Sequence, residues 1–262
     1  MKSLLRSFLM AFSGYSISPK TKLARNKENC SYILMFIPLV GAIITVIINR
    51  WAVLYPYMCE HPVFPAVVGA VIPTILSAGA HMDGFFKTVD AISSHKKREE
   101  ALKILDEDAH GGYTAIIVGI CYYMVAVAIW SEMPIDGIFV IAFAYIISRA
   151  LYGISLLTMK HAHSDKSLCY VPDVNASKWI QVLVNVAYIG ICAVLMIEIA
   201  LSFNGLRVAI FSIIGAVIAY VYYIIMANKR FGGVTEELGG YFVMICEVII
   251  PIAALLAFKS PV

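Results

Sequence analysis

Seven apolar stretches of membrane length dominate this chain of 262 residues. They run over Ser31–Asn49, Pro62–Ala80, Tyr113–Trp130, Ile135–Met159, Trp179–Phe203, Arg207–Ala227 and Gly240–Phe258, with ends set to within several residues. An α-helix needs about 20 mostly apolar residues to cross a bilayer. In lipid the backbone must satisfy its own hydrogen bonds, so such segments fold as helices. Composition agrees: 61% of residues are hydrophobic and 14% charged, against about 45–50% and about 25% in soluble domains. The expected fold class is an all-α integral membrane protein. It is a bundle of about seven transmembrane helices forming a single polytopic domain over residues 1–262. Trp51, Tyr55, Tyr57, Trp130 and Trp179 lie near the proposed ends, where interfacial aromatics belong. Ahead of the first span, Leu4, Leu5, Phe8, Leu9 and Phe12 recur at helical spacing and predict an amphipathic segment on the membrane. That segment has no small-x-small cleavage pattern and is not read as a signal peptide. Pro38 predicts a kink in the first span.

Net charge is only +3, too little to argue for nucleic acid, but its distribution is informative. Sixteen of the 20 Lys and Arg residues fall before span one and in alternate loops after it: Lys87–Lys103, Lys160–Lys178 and Lys229–Arg230. Arg50, Arg207 and Lys259 face the other side, and Arg149 lies within span four. The positive-inside rule then places the N-terminus in the cytoplasm and the C-terminus outside. Of six cysteines, no two are spaced CxxC, so neither a disulfide framework nor a zinc site is read.

Polar side chains concentrate at the cytoplasmic ends. His81, Asp83 and Asp90 follow span two, and Asp106, Glu107, Asp108 and His110 end the same loop before Gly111 and Gly112. Thr235, Glu236 and Glu237 enter span seven, with Glu247 inside it. In the segment HMDGFFKTVD, Asp83, Lys87 and Asp90 stand at i, i+4 and i+7, which is one helix face. Two carboxylates on a face can hold Mg²⁺, which prefers oxygen donors. On spacing alone, pairing of both acids with Lys87 is the commoner outcome. Glu247 and Arg149 each carry an insertion cost of about 2.5–3.5 kcal/mol at the membrane centre, and each is a candidate partner for the other. HAHSD, with His161 and His163, reads as a solvated loop ahead of a metal pair.

Taken together these motifs resemble the cobalamin synthases, adenosylcobinamide-GDP ribazoletransferases of the last stage of vitamin B12 assembly. AHMDGFFKTVDA (80–91) is similar to the family's HxDGxxDxxD, and FIPLVG to its FPLVG. The opening FLMAFSGYSIS, too, is similar to the start of the family's chains. ILDEDAHG (104–111) resembles its MKDSRxG turn, and SRA (148–150) its SRA. GGVTEE (232–237), with Gly240 and Glu247, resembles GGxTGD…G…E. Three departures stand out: Lys87 replaces the family's middle Asp, Glu107 an Asp, and Glu236-Glu237 a Gly-Asp.

The resemblance implies a membrane transferase that joins adenosylcobinamide-GDP to α-ribazole or its 5′-phosphate and releases GMP. The site would open to the cytoplasm from the inner membrane, with Mg²⁺ as cofactor. It implies Asp83, Asp90 and Glu107 as metal ligands and His81, Lys87, Arg149 and Glu237 as catalytic. Gly84, Gly111, Ser148, Thr235, Gly240 and Glu247 would bind substrate. His81 or a carboxylate would accept the hydroxyl proton, and Arg149 or Lys87 would contact phosphate. The partners implied are these small molecules and membrane lipid, with no nucleic acid. A homo-oligomer or association with other corrinoid-assembly enzymes is compatible with it. Two other readings compete: a CDP-alcohol-type phosphotransferase, whose DG-x2-AR pattern is missing after Asp83-Gly84, and an ion-binding transporter. A transport path would want polar residues in both membrane halves, and here they cluster in one.

Overall fold

The computed structural model describes residues 2–24, 27–54, 56, 61–106, 112–162, 175–203 and 205–260. The described chain is helical: α1 (Lys2–Tyr15), α2 (Lys27–Cys30), α3 (Ile33–Leu54), α4 (Val63–Leu76), α5 (Ala80–Ser93) and α6 (Arg98–Asp106) come first. They are followed by α7 (Tyr113–Glu132), α8 (Ile135–Ile141), α9 (Ala144–Thr158), α10 (Asn175–Ser202), α11 (Leu206–Met226) and α12 (Glu236–Lys259). A π-helical turn, Ala227–Phe231, extends α11. Among the described residues, six segments are long and apolar enough to cross a membrane on their own: α3, α7, α8 with α9, α10, α11 with its π-turn, and α12. The protein is a multi-pass membrane protein with an all-helical bundle. The described cysteines Cys30, Cys121, Cys192 and Cys246 are free.

The second apolar stretch behaves differently from a single span. α4 has 14 residues, about 21 Å at 1.5 Å per residue, short of a hydrocarbon core of about 30 Å. It ends in a Schellman cap, with Gly79 N–H donating to Thr74 O (2.9 Å) and Ala78 N–H to Ile75 O (2.9 Å). Ala78 (φ 51°) and Gly79 (φ 70°) are both left-handed. For Ala78 that conformation costs on the order of 1–2 kcal/mol. The chain then restarts as α5, bent by 93° from α4. The helix carrying Asp83 therefore turns across the end of the bundle instead of prolonging a span.

Contacts sort the helix ends into two sets. At one end Ile17 N–H donates to Leu76 O (2.9 Å), Ala162 N–H to Val234 O (3.0 Å) and Arg230 Nη2 to Ile92 O (3.4 Å). At the other, Trp51 Nε1 donates to Pro65 O (3.0 Å), Arg207 Nη2 to Ser260 O (3.5 Å), and Lys259 pairs with Glu132. α4 thus returns alongside α3.

The most buried pass is α8–α9. Small residues let neighbours approach it closely, as in other membrane bundles. A Cβ on Gly41 of α3 would stand 2.2 Å from Tyr145 O, and one on Gly153 would stand 3.0 Å from Leu34 O. At its centre Arg149 Nη1 reaches Glu247 Oε1 of α12 at 2.6 Å and Tyr145 O at 3.0 Å. Their side chains are 1% and 5% exposed, so neither charge can turn to water. Removing one partner strands the other, which typically costs about 3–5 kcal/mol, whereas replacing both with apolar groups is often neutral. Accordingly, thermal unfolding in detergent is expected to show a large loss for Glu247→Leu and for Arg149→Met. The double variant should recover most of the wild-type midpoint.

Candidate active site

The start of α12 is built by its sequence. After the π-turn, Gly232 adopts φ 76°, with the Arg98 guanidinium packed where a side chain would project. A Cβ on Gly233 would stand 2.4 Å from Lys160 O. This close pass lets Val234 N–H donate to Lys160 O (2.8 Å), tying the end of α9 to the start of α12. Thr235 then caps the helix, its Oγ1 accepting from Leu238 N–H (3.2 Å). Glu236 and Glu237 occupy the first turn, where the positive end of the helix dipole favours acids.

α5 crosses this first turn almost backbone to backbone. A Cβ on Gly84 would lie 2.5 Å from Glu237 O, and one on Gly240 would lie 3.1 Å from His81 O. The crossing opens a polar cleft of about 220 Å³, lined by Gly14, Tyr15, Ala80, His81, Asp83, Gly84, Tyr152, Glu236, Glu237 and Gly240. His81 is 2% exposed, and its Nε2 has no hydrogen-bond partner among the described residues. Its ring stacks on Tyr15 (centroids 5.8 Å, 27°) and meets Tyr152 edge-on (6.2 Å, 79°). The Tyr15 hydroxyl donates to Glu236 Oε1 (2.7 Å) and lies 3.2 Å from the Tyr152 hydroxyl. Asp83 pairs with Lys87 Nζ at 3.0 Å, and the lysine is the more covered of the two, 11% against 47% exposed.

The structure therefore brings together His81, Asp83, Gly84, Glu237 and Gly240 of the residues singled out in the sequence. Asp90 stands apart. It is seven residues from Asp83, about 10 Å along the helix, and its Oδ2 accepts from Gly112 N–H at 3.4 Å. Lys87 lies beside the cleft, attached to Asp83. Ser148 is buried, with its Oγ directed to Tyr145 O at 3.4 Å. Arg149 and Glu247 hold each other deeper in the bundle, Glu247 about 10 Å below Gly240 along α12. Thr235 is a helix cap. Glu107, Gly111 and His163 lie outside the described residues. His161 Nε2 is 2.9 Å from Leu156 O. Burial holds that imidazole below its usual pKa, against the Leu156 hydrogen bond, so it is neutral and donates to the carbonyl.

Tyr15, Tyr152 and Glu236 are the cleft residues to which the sequence assigned no role. Glu236 carried a signal as the first acid of VTEE, and Tyr15 lay within the opening segment FLMAFSGYSIS without standing out in it. Among the described residues no three His, Cys, Asp or Glu side chains form a ready ligand cluster. The cleft nonetheless offers oxygen donors from Asp83, Glu236 and Glu237 around an open space. That suits an ion which takes one or two carboxylates together with water and substrate phosphates.

Comparison with known proteins identifies the family. An adenosylcobinamide-GDP ribazoletransferase of Lachnoclostridium phytofermentans is 28% identical, the match covering 97% of this chain and 94% of that protein. One from Clostridium botulinum (strain Alaska E43) is 24% identical over 95% of this chain and 96% of its own length. One from Klebsiella pneumoniae is 26% identical over 96% of this chain and 100% of its own length. No solved structure matches the chain. Residues 7–255 match the cobalamin-5-phosphate synthase family, so the chain belongs to that family.

Proposed function

We propose that this protein is an adenosylcobinamide-GDP ribazoletransferase whose active site is the cleft at the α5–α12 crossing. The reading rests on one observation: Asp83, Glu236 and Glu237 line a single polar space that has His81 in its wall. The full-length match to proteins of that name supports it. The 5′-hydroxyl of α-ribazole, or of its 5′-phosphate, attacks the cobinamide-linked phosphorus. A new P–O bond forms, the bond to the bridging oxygen breaks, and GMP leaves. Such transfers depend mainly on positioning and on neutralising oxygen charge.

Asp83 and Glu237 are the residues we assign to hold Mg²⁺, with Glu236 beside them. The bound ion would neutralise the diphosphate oxygens. His81, which lines the cleft and whose Nε2 has no hydrogen-bond partner among the described residues, is the group we assign to accept the hydroxyl proton. Lys87 holds Asp83 in place and adds positive charge beside the diphosphate. Arg149 serves the reaction indirectly by locking α9 to α12. We place the cleft on the cytoplasmic face of the inner membrane. Lys87, Lys96, Lys97, Arg98, Lys160, Lys229 and Arg230 all belong to the segments at its end of the bundle.

Purified protein with adenosylcobinamide-GDP, α-ribazole and Mg²⁺ is expected to release GMP. Chelation should stop the release and Mg²⁺ should restore it. Asp83→Asn should lower the rate at least on the order of 10–100-fold, the range that even outer-shell changes produce at metal sites. Folded, monodisperse protein that releases no GMP would overturn the reading.

Lys87→Asp places a second carboxylate one turn from Asp83 and removes its partner. We expect slower GMP release and a higher Mg²⁺ requirement, measured by titrating the ion. Faster release would mean that Lys87 occupies the place of a metal charge.

A further inference from the structure

The N-terminal helix α1 delivers one side chain into the cleft. Tyr15 ends that helix and is 5% exposed. It is fixed from both sides: Ser16 Oγ donates back to Phe12 O (2.7 Å), and Ile17 N–H donates to Leu76 O (2.9 Å). Its hydroxyl proton is committed to Glu236 Oε1 at 2.7 Å, because an ionised carboxylate only accepts. The contact of 3.2 Å with Tyr152 must then run the other way, with the Tyr152 hydroxyl donating to the Tyr15 oxygen. The result is a directed chain, Tyr152 to Tyr15 to Glu236, and each bond polarises the next. The Tyr15 ring also stacks on His81 and meets Tyr152 edge-on, so the imidazole plane is set by the same residue. Tyr152 cannot retreat easily, since its ring covers Gly239, where a Cβ would stand 2.0 Å from it.

Glu236 is a long, half-buried side chain on the first turn of α12, where more than one rotamer would fit the helix. A charge-assisted hydrogen bond from a buried phenol fixes it. We infer that Tyr15 is a positioning residue for the transfer: it orients the Glu236 carboxylate and the His81 ring toward the reacting diphosphate. The inference rests on the cleft being the ribazoletransferase site. The N-terminal helix is on this account part of the active site as well as a membrane-surface element.

Tyr15→Phe removes the hydroxyl and keeps the ring. In the GMP-release assay, kcat is expected to fall on the order of 10–100-fold, the size of effect that misplacement of a reacting group by about 1 Å produces. KM for either substrate should change less than about twofold, because the ring still packs and no direct substrate contact is lost. Glu236→Gln should lower kcat comparably. The Tyr15→Phe/Glu236→Gln double variant should be no slower than the slower single variant, since the two act as a unit. If Tyr15→Phe does not yield folded protein, Tyr152→Phe removes only the donor to Tyr15 and should give a smaller loss, again in kcat alone. Wild-type kcat in Tyr15→Phe, losses that multiply in the double variant, or a loss expressed only in KM would each overturn the inference. Those outcomes leave the assignment of the activity intact if wild-type protein releases GMP. Failure of the wild type would overturn both.

Discussion

The site depends on how closely two backbones pass. α5 and α12 cross where Gly84 faces Glu237 O and Gly240 faces His81 O, at distances that admit no Cβ on Gly84. That approach carries Asp83 from one helix and Glu236 and Glu237 from the other to the walls of a single cleft. A few ångströms of separation would leave two unrelated acidic helix ends. The glycines thus serve first as spacers and only through that role as lining of the cleft.

The crossing needs support from below and from the side. Below it, Arg149 and Glu247 clamp α9 to α12 within the apolar bundle, where a charge without a partner is costly. To the side, the Schellman cap at Ser77–Gly79 turns α5 through 93° so that it lies over the start of α12. Ala78 is held left-handed at this turn, a local strain of the kind that surrounding structure must over-determine. The protein is divided by depth: an apolar, clamped interior holds the geometry, and a polar rim at one end carries the proposed site.

Much of this was legible in the sequence. Apolar length located the spans, since hydropathy measures what lipid selects. The acids of DG and VTEE were legible because charge next to a membrane-length helix is costly and conspicuous. The bend after Leu76 was not, because Ser77, Ala78, Gly79 and Ala80 continue the apolar run, and hydropathy does not register direction. The period that put Asp83 and Asp90 on one face was real, yet a shared face spans about 10 Å over two turns, and the second acid meets Gly112 instead. The roles of Tyr15 and Tyr152 were not legible for another reason. A tyrosine near a span end reads as an interfacial anchor or as core, and only the fold shows that their hydroxyls meet at Glu236. Family resemblance supplied the reaction, and local geometry redistributed the roles within it.

The most direct test of the central claim is where the diphosphate sits when the substrate is bound. A structure of the protein in lipid nanodiscs with adenosylcobinamide-GDP and Mg²⁺ should show the diphosphate in the cleft between α5 and the first turn of α12. Asp83 and Glu237 should lie on the ion side and His81 should face the attacked phosphorus. A diphosphate bound elsewhere, for example against the basic residues of α6 with the α5–α12 cleft free of substrate, would contradict the account.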